Sequence, residues 1–185
     1  MKTFLFSIDF EEFVAANPQR NFRCTAMSEL LESYLQLLRR RQMQATFFVV
    51  GSVARKYPEL IRRVVDEGHE VGCHTDTHDA LDRLTPETFR ANLERNVESL
   101  AAAGASSVVG FRAPIFSLTP ATQWAYGVLK SLGFHYSSSV LAAKNPLYGW
   151  PEFGTEIRRL EGITEIPVTL HQIGPLRVPI FGGTY

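Results

Sequence analysis

The sequence predicts an α/β fold in which parallel strands alternate with helices. Short β-rich apolar runs alternate repeatedly, up to about residue 141, with longer segments whose apolar residues recur at helical spacing. The run ATFFVV is almost continuously apolar, as expected for a strand that is covered on both faces. A chain of 185 residues with 45% hydrophobic content fits one core, so we expect a single domain over residues 1–185.

The first part of the chain is predicted to contain three strands separated by two helices. The strand KTFLFSID precedes the helix SELLESYLQLLRRRQ, for which Ser28 is the predicted N-cap. The strand ATFFVV follows. The segment YPELIRRVVDEG then has the early proline and late glycine that favour the start and the end of a helix. The strand HEVGCH completes this part.

The next part repeats the same order. The helix TPETFRANLERNVESLAAAG has the clearest boundaries, with Thr85 as N-cap, Pro86 in the first turn and Gly104 after the end. The strand SVVGFRAP, the helix TPATQWAYGVLKSLG and the strand FHYSSSV follow it. From about residue 141 prolines interrupt short apolar pieces, which predicts loops with one or two strands.

Composition excludes several classes of partner. Lys plus Arg and Asp plus Glu both number 19, so the chain lacks the positive field that nucleic acid binding needs. Cys24 and Cys73 are too few for a disulfide framework and are predicted to be reduced thiols. No apolar stretch approaches the roughly 18 to 20 residues of a membrane span, and MKTFLFSIDFEEF is predicted to be a strand rather than a signal peptide. We therefore expect a cytoplasmic protein.

Polar residues follow three of the predicted strands. His74 and His78 come after HEVGC, and a histidine pair at this spacing can face one metal ion from one turn of helix. Alone, the pair is a weak signal, and two solvated loop histidines are the favoured interpretation. Asp9 and Glu11 end the first strand and Arg112 ends the fourth, and the carboxyl ends of parallel strands are where functional residues collect.

One carboxylate and two histidines form a three-ligand set that leaves a coordination position open for water, which is typical of catalytic zinc. Strand alternation places Asp9 and Glu11 on one side and Glu12 on the other. One carboxylate can then bind the metal while the other accepts a proton from water. The residues alone predict metal-dependent hydrolysis with a divalent ion, zinc being the best suited.

The segments SIDFEE, ATFFVVGSVARKYPELIRRVVDEGHEVGCHTDTH and GFRAPIFSL, in this order and spacing, resemble the polysaccharide deacetylases, a family of chitin, peptidoglycan and exopolysaccharide deacetylases. The resemblance covers about residues 3–140 and is most specific from Ala45 to His78. It is closest to a subgroup in which one residue separates the two carboxylates. It implies a distorted (β/α) barrel with its site at the carboxyl ends of the strands.

The resemblance also implies roles for five residues. Asp9 would be the general base, and Arg112 would orient it. Glu11, His74 and His78 would hold a divalent metal, most suitably zinc. The implied reaction removes N-acetyl groups from an amino sugar of a polysaccharide or glycan precursor. Two alternatives stay open, a hydrolase of cyclic amides or ureides such as allantoin on the same fold, and a non-catalytic sugar-binding relative.

Two features depart from the family pattern. Ser137 stands where an aspartate is frequent. His171, in VTLH, has the letters of the family's general-acid motif, but its surroundings resemble the segment that precedes that motif. The general acid is therefore either His171 or a residue beyond Tyr185. In the second case the barrel is incompletely closed, and a homo-oligomer is expected to cover its open edges.

Four further residues near the motifs are expected to be structural. Pro114, Phe116 and Trp124 could line a sugar groove, but core packing is the favoured interpretation. Cys73 is expected to be a small buried apolar residue rather than a metal ligand.

Overall fold

A computed structural model describes residues 5–12, 27–173 and 176–180 of the chain. Cys24 lies outside the described residues, so the prediction for its thiol is untested. None of the helices in the described ranges combines the length and the apolarity that crossing a membrane requires.

Most of the predicted elements are present. The described strands are β1 Ser7–Phe10, β2 Thr46–Val49, β3 Glu70–Cys73, β4 Gly110–Phe111, β5 Tyr136–Ser137, β6 Arg158–Leu160, β7 Ile163–Glu165, β8 Leu170–Ile173 and β9 Leu176–Pro179. The α-helices are α1 Met27–Arg41, α2 Gly51–Lys56, α3 Pro58–Asp66, α4 Pro86–Ala102 and α5 Ala125–Ser131.

Seven strands form one sheet in the order β1-β2-β3-β4-β5-β7-β6. All neighbours are parallel except β6 and β7, which form an antiparallel pair. Within the described ranges, β1 and β6 have no strand on their outer edges, so hydrogen bonds do not close the sheet. The predicted α/β fold with an incompletely closed barrel is confirmed, whereas association through the open edges stays a prediction.

Helices cover the sheet through two adjoining apolar clusters. One joins α1, α2 and α3 to β1, β2 and β3, and Leu31, Leu35 and Leu38 of α1 are buried in it at helical spacing. The other joins α4 and α5 to β4, with Phe89 packed edge-on against Phe111. These clusters fix the strands whose carboxyl ends carry the polar residues.

The structure corrects three details of the predicted elements. Ser28 lies inside α1 rather than at its N-cap. Gly51, expected to end a strand, begins the additional helix α2. The region after residue 141 contains four strands, β6 to β9, in two antiparallel pairs. Strands of three or four residues are too short to show a period in the sequence, and Pro179 stands at the end of β9, where a strand tolerates proline.

Candidate active site

The carboxyl edge of the sheet brings all five predicted site residues together. Asp9 lies in β1 and Glu11 follows that strand. His74 follows β3 directly, and Arg112 follows β4. His78 returns to the same place at the far end of the loop after β3.

Glu11, His74 and His78 offer one ligand atom each, and these atoms all lie within 4.8 Å of one another. Glu11 Oε2 is in close contact with His78 Nε2. The two imidazole rings have their centroids 5.0 Å apart and are inclined by 62°. This arrangement is the one predicted for a metal with two histidines and one carboxylate.

The histidine pair lies on a loop rather than on a turn of helix. Two residues of the loop have left-handed backbone conformations, Thr75 with φ 62° and His78 with φ 60°. This conformation costs energy for a β-branched residue such as Thr75, so the surrounding structure has to impose it. With these left-handed residues in the loop, the side chains of His74 and His78 meet at one point although the loop is not helical.

Side chains of α4 impose this loop conformation. Asn96 Nδ2 donates to the carbonyl oxygen of Thr75 at 2.5 Å, and Asn92 Oδ1 accepts from the backbone N–H of Asp76 at 2.5 Å. Gly51 N–H donates to the Thr75 carbonyl at 3.0 Å. A side chain at Gly51 would force Asp76 to shift, because its Cβ would lie 2.2 Å from Asp76 Oδ1. The sequence analysis missed these two asparagines. They could have been recognised as a pair of polar residues four positions apart on the buried face of α4.

His74 presents one nitrogen to the site. Its Nδ1 lies 2.7 Å from the backbone carbonyl oxygen of Arg112 and therefore carries the proton that it donates there. Its Nε2 is buried and has no hydrogen-bond partner among the described residues. Burial lowers the pKa of His74 below its ordinary value, although the negative charges of Asp9 and Glu11 act in the opposite direction. The lowered pKa favours the neutral imidazole, which is the form that binds a metal.

Asp9 stands beside this nitrogen and is held by Arg112. Its Oδ1 accepts a hydrogen bond from Arg112 Nη1 at 2.8 Å, and its Oδ2 lies 4.0 Å from His74 Nε2. Burial alone would raise the pKa of Asp9. The charge and hydrogen bond of Arg112, together with both histidines, hold that pKa below its ordinary value. Asp9 is therefore an ionised carboxylate at neutral pH.

Arg112 is itself fixed by the chain that follows β5. Its Nε donates to the carbonyl oxygen of Ser138 at 2.8 Å, and its Nη2 donates to Ser138 Oγ at 2.8 Å. The guanidinium stacks over the ring of Phe48, with 4.3 Å from Cζ to the ring centroid. Ser138 was not predicted as a site residue, although it lies in the serine run of FHYSSSV.

The remaining predicted residues lie where the sequence analysis expected. Glu12 turns away from the histidines and pairs with Lys56 at 2.6 Å. Phe116 is buried, and Trp124 packs edge-on against Phe89, so core packing is confirmed for both.

Pro114 and Cys73 are buried as well. Burial raises the pKa of the Cys73 thiol to about 12, which keeps the thiol protonated. His171 is exposed and lies on β8, in the separate β8–β9 sheet.

The arrangement can support hydrolysis. Glu11, His74 and His78 converge on one point with donor atoms that suit a divalent transition metal. Asp9 is an ionised carboxylate beside that point and is oriented by a fixed guanidinium. An ionised carboxylate, three candidate metal-binding side chains and a guanidinium are therefore present at one edge of the sheet, which is the set of groups that such a hydrolysis uses.

Comparison with known proteins relates most of the chain to one family. The family model described as polysaccharide deacetylase matches residues 23–137. The chitooligosaccharide deacetylase of Bradyrhizobium sp. (strain ANU 289) is 52% identical over 52 residues, which cover 28% of this chain and 24% of that protein. The match thus spans about a quarter of the curated relative.

Two solved structures share the fold. A Mycobacterium smegmatis protein described as a polysaccharide deacetylase superimposes with a TM-score of 0.69 at 24% identity, over 97% of this chain and 64% of that chain. A family 4 carbohydrate esterase from Streptomyces lividans, solved in complex with acetate, gives a TM-score of 0.52 at 30% identity, over 58% of this chain and 54% of that chain. The predicted barrel type is confirmed by these superpositions.

Proposed function

This chain belongs to the polysaccharide deacetylase family, and we therefore propose that it is a metal-dependent hydrolase of N-acetyl groups on an amino sugar. The substrate would be part of a polysaccharide or of a glycan precursor. The relative with 52% local identity is a chitooligosaccharide deacetylase, which favours an oligomer of N-acetylglucosamine as the first substrate to assay. The family match supports neither a ureide hydrolase nor a non-catalytic module.

One observation carries the proposal of metal binding. His74 Nε2 is a buried nitrogen without a hydrogen-bond partner in the described part of the chain, and it faces a carboxylate and a second imidazole. A buried polar atom without a partner costs free energy, so a site that retains one is suited to a ligand from outside. Zinc is the ion that best fits two imidazoles and one carboxylate with an open position.

A bound divalent ion would polarise the amide carbonyl and increase the acidity of water beside it. Asp9 is placed to take a proton from the attacking water as the water oxygen bonds to the carbonyl carbon. The bond between the carbonyl carbon and nitrogen then breaks, which yields acetate and the free amine of the sugar. Arg112 keeps Asp9 ionised and in one orientation for this step.

The departing amine needs a proton. Whether His171 is the general acid stays open. His171 is exposed on the β8–β9 sheet, separate from the sheet that carries the other site residues. The cytoplasmic location and the single domain also stay predictions.

The test is release of acetate from a chitooligosaccharide by the protein, first freed of metal and then given zinc. We expect turnover to appear with zinc and to be absent from Asp9→Asn with zinc. An equal rate in the metal-free protein would contradict metal dependence. Hydrolysis of allantoin without acetate release from the oligosaccharide would favour the ureide alternative, and binding without turnover would favour the non-catalytic one.

A further inference from the structure

Glu165 is a buried carboxyl that the proposed reaction does not use directly. It lies at the end of β7, paired in register with Ser137 of β5, and its side chain is completely excluded from solvent. An isolated buried carboxyl is costly, so the donors around it show what it contributes. Those donors belong mainly to the segment that follows β5.

The carboxyl of Glu165 clamps the turn after β5. Its Oε1 accepts hydrogen bonds from the backbone N–H groups of Ser139 at 2.7 Å and of Val140 at 2.9 Å. Its Oε2 accepts a hydrogen bond from Tyr126 Oη at 3.2 Å. Two consecutive amides are thus fixed by one oxygen, and this fixes the conformation of the backbone between β5 and the residues after it.

The clamped turn is the same segment that holds Arg112. Ser138, immediately before the clamped amides, accepts hydrogen bonds from Arg112 through both its carbonyl oxygen and its hydroxyl. Ser139 Oγ accepts a further bond from the backbone N–H of Ala113, the residue after Arg112, at 2.8 Å. Hydrogen bonds and the peptide backbone of the turn therefore connect Glu165 to Arg112, which in turn bonds Asp9.

We propose that Glu165 is a positioning residue that holds the Ser138 turn so that Arg112 points at Asp9. This role rests on the proposed function, since the group that benefits is the base of that reaction. Glu165 does not contact the ligand set. Loss of the Glu165 carboxyl should misalign Asp9 without removing the metal.

The backbone amides need an acceptor, and the amide oxygen of glutamine can replace the carboxyl oxygen. Glu165→Ala removes the acceptor and leaves two buried N–H groups unpaired, whereas Glu165→Gln keeps an oxygen of the same reach. Tyr126→Phe removes only the weaker bond to the other oxygen and is the matched control.

Turnover is measured first, with metal content as a parallel readout. Glu165→Ala should lower kcat by about 10- to 100-fold with KM and bound zinc unchanged, because a displaced base loses its alignment. Glu165→Gln and Tyr126→Phe should stay within about threefold of the original kcat. In a protein that already carries Arg112→Ala, adding Glu165→Ala should lower kcat by less than about threefold.

A general loss of stability would behave differently. It would lower kcat by the same factor with and without Arg112→Ala, and that result would overturn the proposal. Loss of zinc from Glu165→Ala would also overturn it, because the ligand set would then depend on Glu165.

A readout without turnover separates this inference from the proposed function. In the folded protein the Arg112 Nε–H should give a resolved, slowly exchanging NMR resonance, assigned by its absence in Arg112→Lys. It should be lost in Glu165→Ala and kept in Glu165→Gln and Tyr126→Phe. If Glu165→Ala does not fold, Glu165→Asp replaces it, because a shorter carboxyl cannot reach both amides. An unchanged resonance in the folded variant would overturn the positioning role, even if the protein hydrolyses no acetyl group.

Discussion

The two sides of the candidate site differ in how their polar groups are satisfied. On the ligand side, formed by Glu11, His74 and His78, the Nε2 atom of His74 lacks a hydrogen-bond partner in the described ranges, and His78 Nε2 is in close contact with Glu11 Oε2. On the arginine side, formed by Arg112, Ser138 and Glu165, hydrogen bonds link each side chain to the next segment. The ligand side is suited to accept an ion, whereas the polar groups on the arginine side already have hydrogen-bond partners.

The backbone follows the same division. Thr75 and His78 on the ligand side have left-handed conformations that α4 has to impose. On the arginine side, strand pairing and the Glu165 clamp hold the chain between β5 and β7. The ligand side therefore leaves a donor atom available to an ion, while the arginine side is held in one orientation by its own hydrogen bonds. Substitutions on the two sides should therefore separate metal content from turnover.

The largest loss of turnover and of bound metal is expected from substitutions on the ligand side. His74→Ala combined with His78→Ala removes two of the three ligands, so stoichiometric zinc should be lost together with all measurable turnover. Metal content by mass spectrometry and acetate release are the measurements. His135→Ala, which removes an exposed histidine, is the control and should keep both. Full metal content in the double variant would place the site elsewhere.

Asp9 lies between the two sides, and its substitution should lower turnover without lowering metal content. Asp9→Asn keeps the shape of the side chain but cannot accept a proton from water, so kcat should fall by about 10²- to 10⁴-fold while zinc stays bound. The same two measurements apply. Loss of zinc along with turnover would reverse the roles assigned to Asp9 and Glu11.

Much of this site could be predicted from the sequence because it follows from topology. Parallel strands bring their carboxyl ends to one edge, so Asp9 and Arg112 could be placed together although 103 residues separate them. Helix caps such as Thr85, which forms a capping box with Thr88, are local signals and were equally accessible.

The rest was hidden for physical reasons. Ser138 acts partly through its backbone carbonyl, and Glu165 acts on backbone amides, so neither forms a side-chain motif with the residues that it holds. The loop of the two histidines depends on asparagines of α4 that meet it only in the folded chain. Strands as short as β6 and β7 leave no periodicity to detect.

A smaller effect on turnover is expected from Arg112→Ala, and it should appear in the pH dependence. The guanidinium opposes the effect of burial on Asp9, so its removal should raise the pKa of Asp9 toward or above its ordinary value. A base with a raised pKa is protonated at higher pH. The acidic limb of kcat/KM should therefore move to higher pH, and kcat at neutral pH should fall by about 10- to 100-fold.

Zinc content should stay unchanged in Arg112→Ala, which separates it from the ligand side. Arg90→Ala removes an exposed arginine that contacts Ser131 and serves as the control. An acidic limb at the same pH in both variants would show that Arg112 does not control the ionisation of Asp9.

The smallest expected effect is a change with pH in the free energy of unfolding, caused by Glu165 on the arginine side. Burial raises the pKa of Glu165 above its ordinary value of 4.5, and the hydrogen bonds from Ser137, Ser139, Val140 and Tyr126 oppose that rise only in part. The folded protein therefore holds the proton at pH values where the unfolded chain has released it. This contribution to stability is complete below pH 4.5 and is lost as the pH rises through the folded pKa.

Glu165→Gln does not titrate, so it isolates this contribution. Relative to Glu165→Gln, the original protein should lose free energy of unfolding between pH 4.5 and the folded pKa of Glu165, by about 1.4 kcal/mol for each unit of the pKa shift. Urea denaturation of both proteins from pH 4.5 to 8 gives the difference, and Glu152→Gln, which removes an exposed carboxyl, is the matched control. A difference that grows in favour of the original protein as pH rises would mean that the Glu165 clamp works as a carboxylate, held ionised by its donors. The arginine side would then contain a buried negative charge of its own, and glutamine would be a poorer substitute there than its shape suggests.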